Sequence, residues 1–327
     1  MAKAEPVSRP RDYPRTLDEL EKRFGSEAAC RAYLRQLRWP DGFRCPKCTS
    51  ERDWPVGRGE LMECASCHHQ TSITAGTIFE GTRKPLSMWF RAIWWVTSQK
   101  NGASAMGLRR VLGLGSYQTA WTWLHKLRRA MVRPGRDRLS GFVEEDETYV
   151  GGEEEGTHGR ETYRKAIVVV AVEIHCPKGF GRIRMRRVPD VSAASLTPFV
   201  CEAVEPGSTV HTDGWKGYDK LSKHGYKQKI TVVKGSGDPA HVHLPGVHRV
   251  ASLLKRWLLG THQGAVSNRH LDYYLDEFTF RFNRRSSRSR GLLFYRLMQQ
   301  AVAVRPVPYK RLVGGIEGLV PQDVGGT

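Results

Sequence analysis

Long apolar runs are missing from this chain. The most apolar stretch, Met88–Val96, is short and carries Arg91, whereas a helix that crosses a bilayer needs about 20 apolar residues. The N-terminus, MAKAEPVSRPRDYPRTLDEL, has no apolar stretch behind its first charges, so no secretory signal is read there. Acid is scarce as well: 33 Asp and Glu stand against 52 Lys and Arg, for a formal net charge of +19. Such an excess points to a polyanionic partner, and nucleic acid is the commonest one. No basic amphipathic stretch stands apart from the rest, which argues against a membrane surface as that partner. An even cysteine count is also lacking. Seven is an odd number, and no disulfide scaffold is expected.

Four of the cysteines form two pairs, Cys45-Pro-Lys-Cys48 and Cys64-Ala-Ser-Cys67, separated by residues 49–63. Each pair suits a tight knuckle turn, and short strands between them can bring the knuckles together around a tetrahedral Zn²⁺. Four thiolates leave no open position, so a zinc ion there is structural. His68 and His69 follow directly and could compete as ligands. A dithiol redox pair usually sits between a strand and a helix, which is not the pattern here; an iron–sulfur cluster is the other reading. The lone Cys30, Cys176 and Cys201 read as small buried hydrophobes.

Thr16-Leu-Asp-Glu19 reads as a capping box opening a helical segment. A helix over 87–98 is expected, capped by Ser87, with Met88, Trp89, Ile93 and Trp94 in the core. Two helices, Ser104–Leu112 and one capped by Ser116, flank a glycine turn at 113–115. The second buries Ala120, Leu124 and Leu127. It places Tyr117, Gln118 and Thr119 at its N-terminal end, where a recognition helix reads base edges, followed by His125, Lys126, Arg128 and Arg129. Beyond 141 the pattern changes. Strands are expected over 142–150, 166–175, 182–188, 208–212 and 226–233, and helices over 192–204, 247–259 and 269–283. The expected order is three strands, helix, strand, helix, strand, helix. This is the order of an RNase H-like sheet, whose first and fourth strands lie side by side.

Against the basic background the acids at strand ends stand out. Two-residue alternation puts Phe142, Glu144, Asp146 and Thr148 on one face of the first strand, with Val143, Glu145, Glu147 and Tyr149 on the other. Asp213, followed by glycine, ends the fourth strand. Adjacent first and fourth strands would make Asp146 and Asp213 meet. Paired carboxylates are hard ligands for two Mg²⁺ or Mn²⁺ ions, which phosphodiester chemistry uses to activate a nucleophile and stabilise a leaving oxygen.

These residues resemble the insertion-sequence DDE transposases of the IS fifteen-ninety-five group, the ISXO-two-like superfamily. The resemblance runs from about Tyr13 to Met298. It rests on CPKC…CASC, TAGTIFEGTRKPLSMWFRAIWW (74–95), GLGSYQTAWTWLHKLR (113–128), DETYVGG (146–152), HTDGWKGY (211–218) and HRVASLLKRWLLGTHQG through YLDEFTFRFNRR (248–285). It implies an α/β, RNase H-like catalytic domain with a mixed five-stranded sheet. It also implies catalytic roles for Asp146 and Asp213, and a third metal ligand at His248. Relatives often carry glutamate there, seven residues before a lysine; here Lys255 follows His248 by seven, and 248 − 213 = 35. Imidazole is softer than carboxylate, which bears on metal preference. Asp238, Asp276 and Glu277 are the other candidates for that third position. Lys255 shares a helical face with His248, within reach of a phosphate. Arg249 and Arg256 suit contacts to the DNA backbone.

The expected organisation is an N-terminal helical segment (1–38), a zinc ribbon (39–80), a helix-turn-helix region (81–133), the catalytic domain (141–300) and a tail (301–327). The expected activity is hydrolysis at transposon ends followed by 3′-OH strand transfer. The partners are double-stranded DNA, as terminal inverted repeats and target, and a second copy or more of the chain. The expected place is the cytoplasm of a prokaryote, at the nucleoid. Two rival readings are a zinc-ribbon, helix-turn-helix regulator without catalysis, and an RNase H-like nuclease that cuts but does not join.

Overall fold

The computed structural model describes residues 12–57, 61–132, 135–152, 165–175, 179–232 and 240–314. Cys176, Asp238, the 153–159 part of the expected glycine- and glutamate-rich loop, the Arg133–Pro134 linker residues and tail residues 315–327 lie outside them. Two compact units divide the chain. One is Met1–Met131 with Ser287–Tyr309, the other Val132–Ser286 with Lys310–Thr327.

In chain order the first unit holds α1 (Leu17–Arg23), α2 (Glu27–Arg38), β1 (Asp53–Val56), β2 (Leu61–Cys64), β3 (Gln70–Ser72), α3 (Leu86–Ser98), α4 (Ala105–Leu112) and α5 (Tyr117–Ala130). The second holds β4 (Phe142–Val150), β5 (Ala166–Ile174), β6 (Phe180–Val188), α6 (Ala193–Ala203), β7 (Thr209–Thr212), β8 (Lys227–Ile230), α7 (Ala240–His243), α8 (Pro245–His262) and α9 (Leu271–Phe282). Helix α10 (Arg290–Ala301) belongs to the first unit, and α11 (Tyr309–Gly314) closes the described chain.

The first unit is held by aromatic packing. Trp89 stacks on Trp123 with centroids 3.7 Å apart, and the fully buried Phe294 of α10 sits 5.9 Å from both Phe90 and Trp94 of α3. Trp89 and Trp94 of α3 are therefore core, as expected, whereas Trp95 is half-buried. Thr16 caps α1 through Glu19 N–H, while the Glu19 carboxylate reaches one residue further back, to Arg15 N–H. The cap of α3 differs from the expected Ser87. The helix starts at Leu86, and the Glu27 carboxylate accepts from Leu86 and Ser87 N–H, each at 2.9 Å. Proline at position 85 leaves the N-cap without a side-chain acceptor, and a carboxylate brought from α2 meets the positive end of the helix dipole instead.

The second unit is a five-stranded mixed sheet in the order β6-β5-β4-β7-β8. β5 runs antiparallel to both β4 and β6, whereas β7 is parallel to β4 and β8 to β7. Three antiparallel strands and then two parallel ones make this an RNase H-like sheet. β5 is covered on both sides, which its unbroken β-branched run requires. Val169 and Ala171 pack against Leu196, Phe199 and Val200 of α6. Val168, Val170 and Val172 pack against Val247, Val250 and Leu254 of α8 and Leu275 and Phe278 of α9.

One expected element is replaced. Between β7 and β8 the chain makes two 3-10 turns, Lys216–Tyr218 and Leu221–His224, where the expected order had a helix. Gly217 explains part of this, because a Cβ there would lie 2.6 Å from Val191 O and 2.7 Å from the Leu196 side chain. The backbone approaches α6 too closely for an ordinary helical turn. Gly214 and Gly225, at φ +83° and +84°, turn the chain at either end.

Candidate active site and zinc centre

Strand β4 carries four consecutive acids, and the sheet sorts them. Glu144 and Asp146 point to the α8 side, because Glu144 pairs with Val172 and Asp146 with Val170. Glu145 and Glu147 face the α6 side with Val143. Asp146 keeps 14% of its side chain accessible, and its Oδ2 lies 3.7 Å from His248 Nε2 on α8. Its Oδ1 accepts from Glu147 N–H at 2.8 Å.

Asp213 follows the last residue of β7. The parallel register pairs Val143 with Val210 and Glu144 with His211. Carried two residues further along both chains, that register would bring Asp213 level with Asp146. Its Oδ1 accepts from Trp215 N–H at 2.9 Å, which turns the chain and fixes the carboxylate. Both charges bear on Tyr218. Burial pushes that phenol well above its ordinary value, and Glu145, Glu147, Asp146 and Asp213 push it the same way. Its hydroxyl donates to Glu147 Oε2 at 3.5 Å.

The neighbouring acids play parts that the sequence does not announce. Buried Glu144 accepts from Gly246 N–H at 2.7 Å and Val247 N–H at 3.2 Å. It thereby satisfies two donors at the start of α8, directly before His248. Burial raises its pKa, against the pull of those two N–H groups and Lys229. Glu145 is fully buried, and neither of its oxygens has a hydrogen-bond partner among the described residues. Burial first, then the charges of Glu147 and Asp146, hold it well above the usual carboxylate range. A signal for Glu144 does exist in Pro245-Gly246-Val247, a helix start with no side-chain cap of its own.

On α8 the basic residues lie outward. Arg249, Lys255 and Arg256 are exposed, and burial of the stem together with Lys165 lowers the Lys255 amine. The alternative third ligands are engaged elsewhere or undescribed. Glu277 is buried and pairs with Arg281 at 2.8 Å, Asp276 is half-buried on α9, and Asp238 is outside the described residues.

In the first unit, the four cysteine sulfurs all lie within 4.8 Å of one another. Among the described residues this is the one group of three or more such ligands that does so. Cys45–Cys67 and Cys48–Cys64 are 3.7 and 3.5 Å apart, close to the ~3.8 Å edge of a tetrahedron with ~2.3 Å Zn–S bonds. The two knuckles repeat each other. Lys47 N–H donates to Cys45 Sγ and Ser66 N–H to Cys64 Sγ, both at 3.4 Å. Thr49 and His68 take the left-handed position of each turn, at φ 63° and 56°. Burial raises the Cys64 thiol, but the N–H groups of Cys67 and Ser66 and the Cys48 and Cys45 side chains outweigh it and bring it down to about 6. Donor set, spacing and N–H support therefore fit zinc. His68 turns away to Glu63, at 3.1 Å. Of the lone cysteines, Cys30 is fully buried and Cys201 half-buried beside the α6 core.

Helices α4 and α5 meet at Gly113, which takes φ +61°. Tyr117 and Gln118 are exposed at the start of α5, Thr119 is half-buried under the Ser116 cap, and Lys126 is half-buried. His125 and Arg128 depart from the expected basic face. Both are buried, with the His125 ring stacked on Trp121 at 3.8 Å and Arg128 Nη1 3.4 Å from His125 Nδ1.

Comparison with known proteins agrees with this division. Residues 138–283 match the ISXO2-like transposase domain, and residues 25–70 match the transposase zinc-ribbon domain. An uncharacterized protein in transposable element ISH50 of Halobacterium salinarum is 29% identical over 278 residues, 80% of this chain and 92% of that protein. An uncharacterized transposase-like protein of Haemophilus influenzae is 27% identical over 112 residues, 34% of this chain and 89% of that protein. The catalytic core domain of BIV integrase aligns with 46% of this chain and 89% of its own, at 19% identity and a TM-score of 0.32. A zinc ribbon joined in one chain to an RNase H-like transposase domain defines a nucleic-acid-processing enzyme. The chain thus carries an ISXO2-like transposase domain over 138–283 and a transposase zinc ribbon over 25–70. No helix among the described residues is long and apolar enough to cross a membrane.

Proposed function

We propose that this chain cuts phosphodiester bonds at the ends of a mobile element and joins the freed ends to target DNA. The observation that carries this is the parallel pairing of β4 with β7, whose register, continued two residues, would bring Asp213 level with Asp146, together with His248 Nε2 3.7 Å from Asp146 on the covering helix. Two carboxylates and an imidazole fit divalent cations of the Mg²⁺ or Mn²⁺ kind, with phosphate oxygens and water completing the shells. When bound, two such ions activate the attacking oxygen and stabilise the departing one. Asp146, Asp213 and His248 are the residues that would hold them. In the first step a water oxygen bonds to phosphorus and the P–O3′ bond breaks, leaving a 3′-hydroxyl on the element. In the second, that hydroxyl bonds to a target phosphorus, whose own P–O3′ bond breaks. Lys255 meets a phosphate oxygen near the reacting bond, and Arg249 and Arg256 hold the backbone on either side.

The zinc ribbon and the α4–α5 pair bind the element's terminal repeats, with Tyr117, Gln118, Thr119 and Lys126 at the DNA. Handling two ends together calls for a dimer or larger assembly on DNA, in the cytoplasm at the nucleoid. The test compares wild type with Asp213→Asn on terminal-repeat DNA, in Mg²⁺ and in Mn²⁺. Cleavage should fall by at least about 10³-fold in the variant, as when a transition-state charge loses its support. Equal cleavage by both proteins sinks the proposal. Cut but never joined products on a supercoiled target would reduce it to a nuclease, and His248→Ala at full activity would remove the third ligand alone.

A further inference from the structure

A cavity of about 360 Å³ opens on the second unit, lined by Arg136, Arg138, Arg184, Arg186, Phe199 and Glu202, among others. Four guanidiniums face one carboxylate, and that carboxylate, Glu202, already pairs with Arg186. Arg184 is 5% exposed, and its partners are neutral carbonyls: Ile183 O at 2.9 Å and Asp137 O. Half-buried Arg136 has no hydrogen bond or ion pair among the described residues. Burial, then Arg136 and Arg182, bring Arg184 down to about 10. Glu173 and Asp137 offset part of that effect at Arg184, as Asp276 and Glu202 do at Arg136, but four guanidiniums still outnumber the one carboxylate lining the cavity, and an anion placed there gains from the excess.

The place of the cavity matters. Arg184 pairs with Ala171 and Arg186 with Val169, so both face α6. Asp146 faces α8, on the opposite side of the sheet. β6 is the edge strand, two positions from β4, or ~10 Å at the usual strand spacing. A phosphate in this cavity is thus not the one cut at Asp146 of the same chain.

We infer that the arginine-lined cavity between β6 and α6 binds backbone phosphate of a second DNA segment, separate from the strand at Asp146 and Asp213. The planar forks of Arg136, Arg138 and Arg184 suit phosphate oxygens in pairs. A volume of about 360 Å³ admits a phosphodiester with part of its sugar, at the low end of small-ligand sites, about 300–1,000 Å³. This rests on the reading that the chain acts on DNA.

The test uses the full chain and the variant Arg136→Gln/Arg138→Gln, whose altered side chains make no hydrogen bond or ion pair among the described residues. Anisotropy of a short labelled duplex is read across a salt series. Two lost phosphate contacts should reduce the slope of log K against log salt by about 2. The variant should melt no lower than wild type, since it relieves repulsion. If wild type shows no DNA binding at all, the transposase reading fails first. If wild type binds and the variant keeps the same slope, the cavity assignment fails alone. Melting in pyrophosphate against chloride of equal ionic strength separates the sources. Protection of wild type but not the variant, with an unchanged DNA slope, would make the ligand a free phosphate compound and overturn the DNA assignment.

Discussion

Glu173 shows how much one carboxylate can hold at the edge of this sheet. It is 5% exposed and accepts from Ser140 N–H at 3.0 Å, Arg182 N–H at 2.9 Å and the Arg182 guanidinium at 2.6 and 3.0 Å. Burial raises its pKa, but Arg182 and the two N–H groups outweigh burial and leave it below the ordinary value. A depressed folded-state pKa contributes stability above the unfolded value, about 4.3 for glutamate, and that contribution is lost as pH falls through the folded value. Glu173→Gln should therefore cost about 2 kcal/mol at neutral pH. Chemical unfolding at pH 7 and below pH 4 checks this, and the gap between the two proteins should shrink on acidification. A gap independent of pH would show that the charge is not what matters. The cysteine ligands were legible as residues because their geometry is local, two knuckles of one repeated form. Glu144 was not legible as the cap of α8, because its two partners lie 102 and 103 residues away.

At the scale of elements, α8 is the piece that brings His248 to Asp146, and Gly246 sets how closely it sits. A Cβ on Gly246 would lie 2.6 Å from the Ile174 side chain and 2.8 Å from Glu144 Oε2. Gly246→Ala should cost about 1–3 kcal/mol by overpacking, lowering the melting temperature by roughly 2–4 °C per kcal/mol, and should slow DNA cleavage by displacing His248. Gly260, on the same helix, has nothing within 4 Å of a built Cβ. Gly260→Ala should keep its cleavage and gain up to about 1 kcal/mol. Equal melting and cleavage in the two variants would show that the close approach at 246 is unimportant. Periodicity located these helices and strands, since α8 and α9 each bury a clear apolar stripe. It failed between β7 and β8, where two 3-10 turns stand in place of the expected helix and only glycine fits the close approach at 217.

At the scale of the whole molecule, two units divide the work, and α10 follows the RNase H-like strands in sequence yet groups with the N-terminal unit. Phe294, packed on Phe90 and Trp94, decides that. The zinc ribbon is too small to hold itself by apolar packing, with three strands of three or four residues. Metal analysis should find one zinc per chain, and Cys64→Ser or strong chelation should remove it. Zinc-finger peptides draw about 10–16 kcal/mol of folding energy from the metal, so the ribbon should lose its hydrogen-exchange protection. The RNase H-like sheet, whose core lies on β5, should keep its own. A zinc-free chain with the ribbon still protected would remove the structural role.

What the sequence determined by itself was whatever depends on spacing along the chain. That covers the cysteine knuckles, the caps at Thr16 and Ser116, the alternation on β4, and the basic excess that calls for a polyanion. The tertiary structure decided what depends on distant groups sharing a low-dielectric space. It made Glu144 a helix cap, buried Glu145 without a hydrogen-bond partner among the described residues, took His125 and Arg128 out of the basic face, and gathered four arginines around one cavity. Those outcomes are fixed by desolvation and by hydrogen bonds across many tens of residues, and neither leaves a periodic trace in the chain.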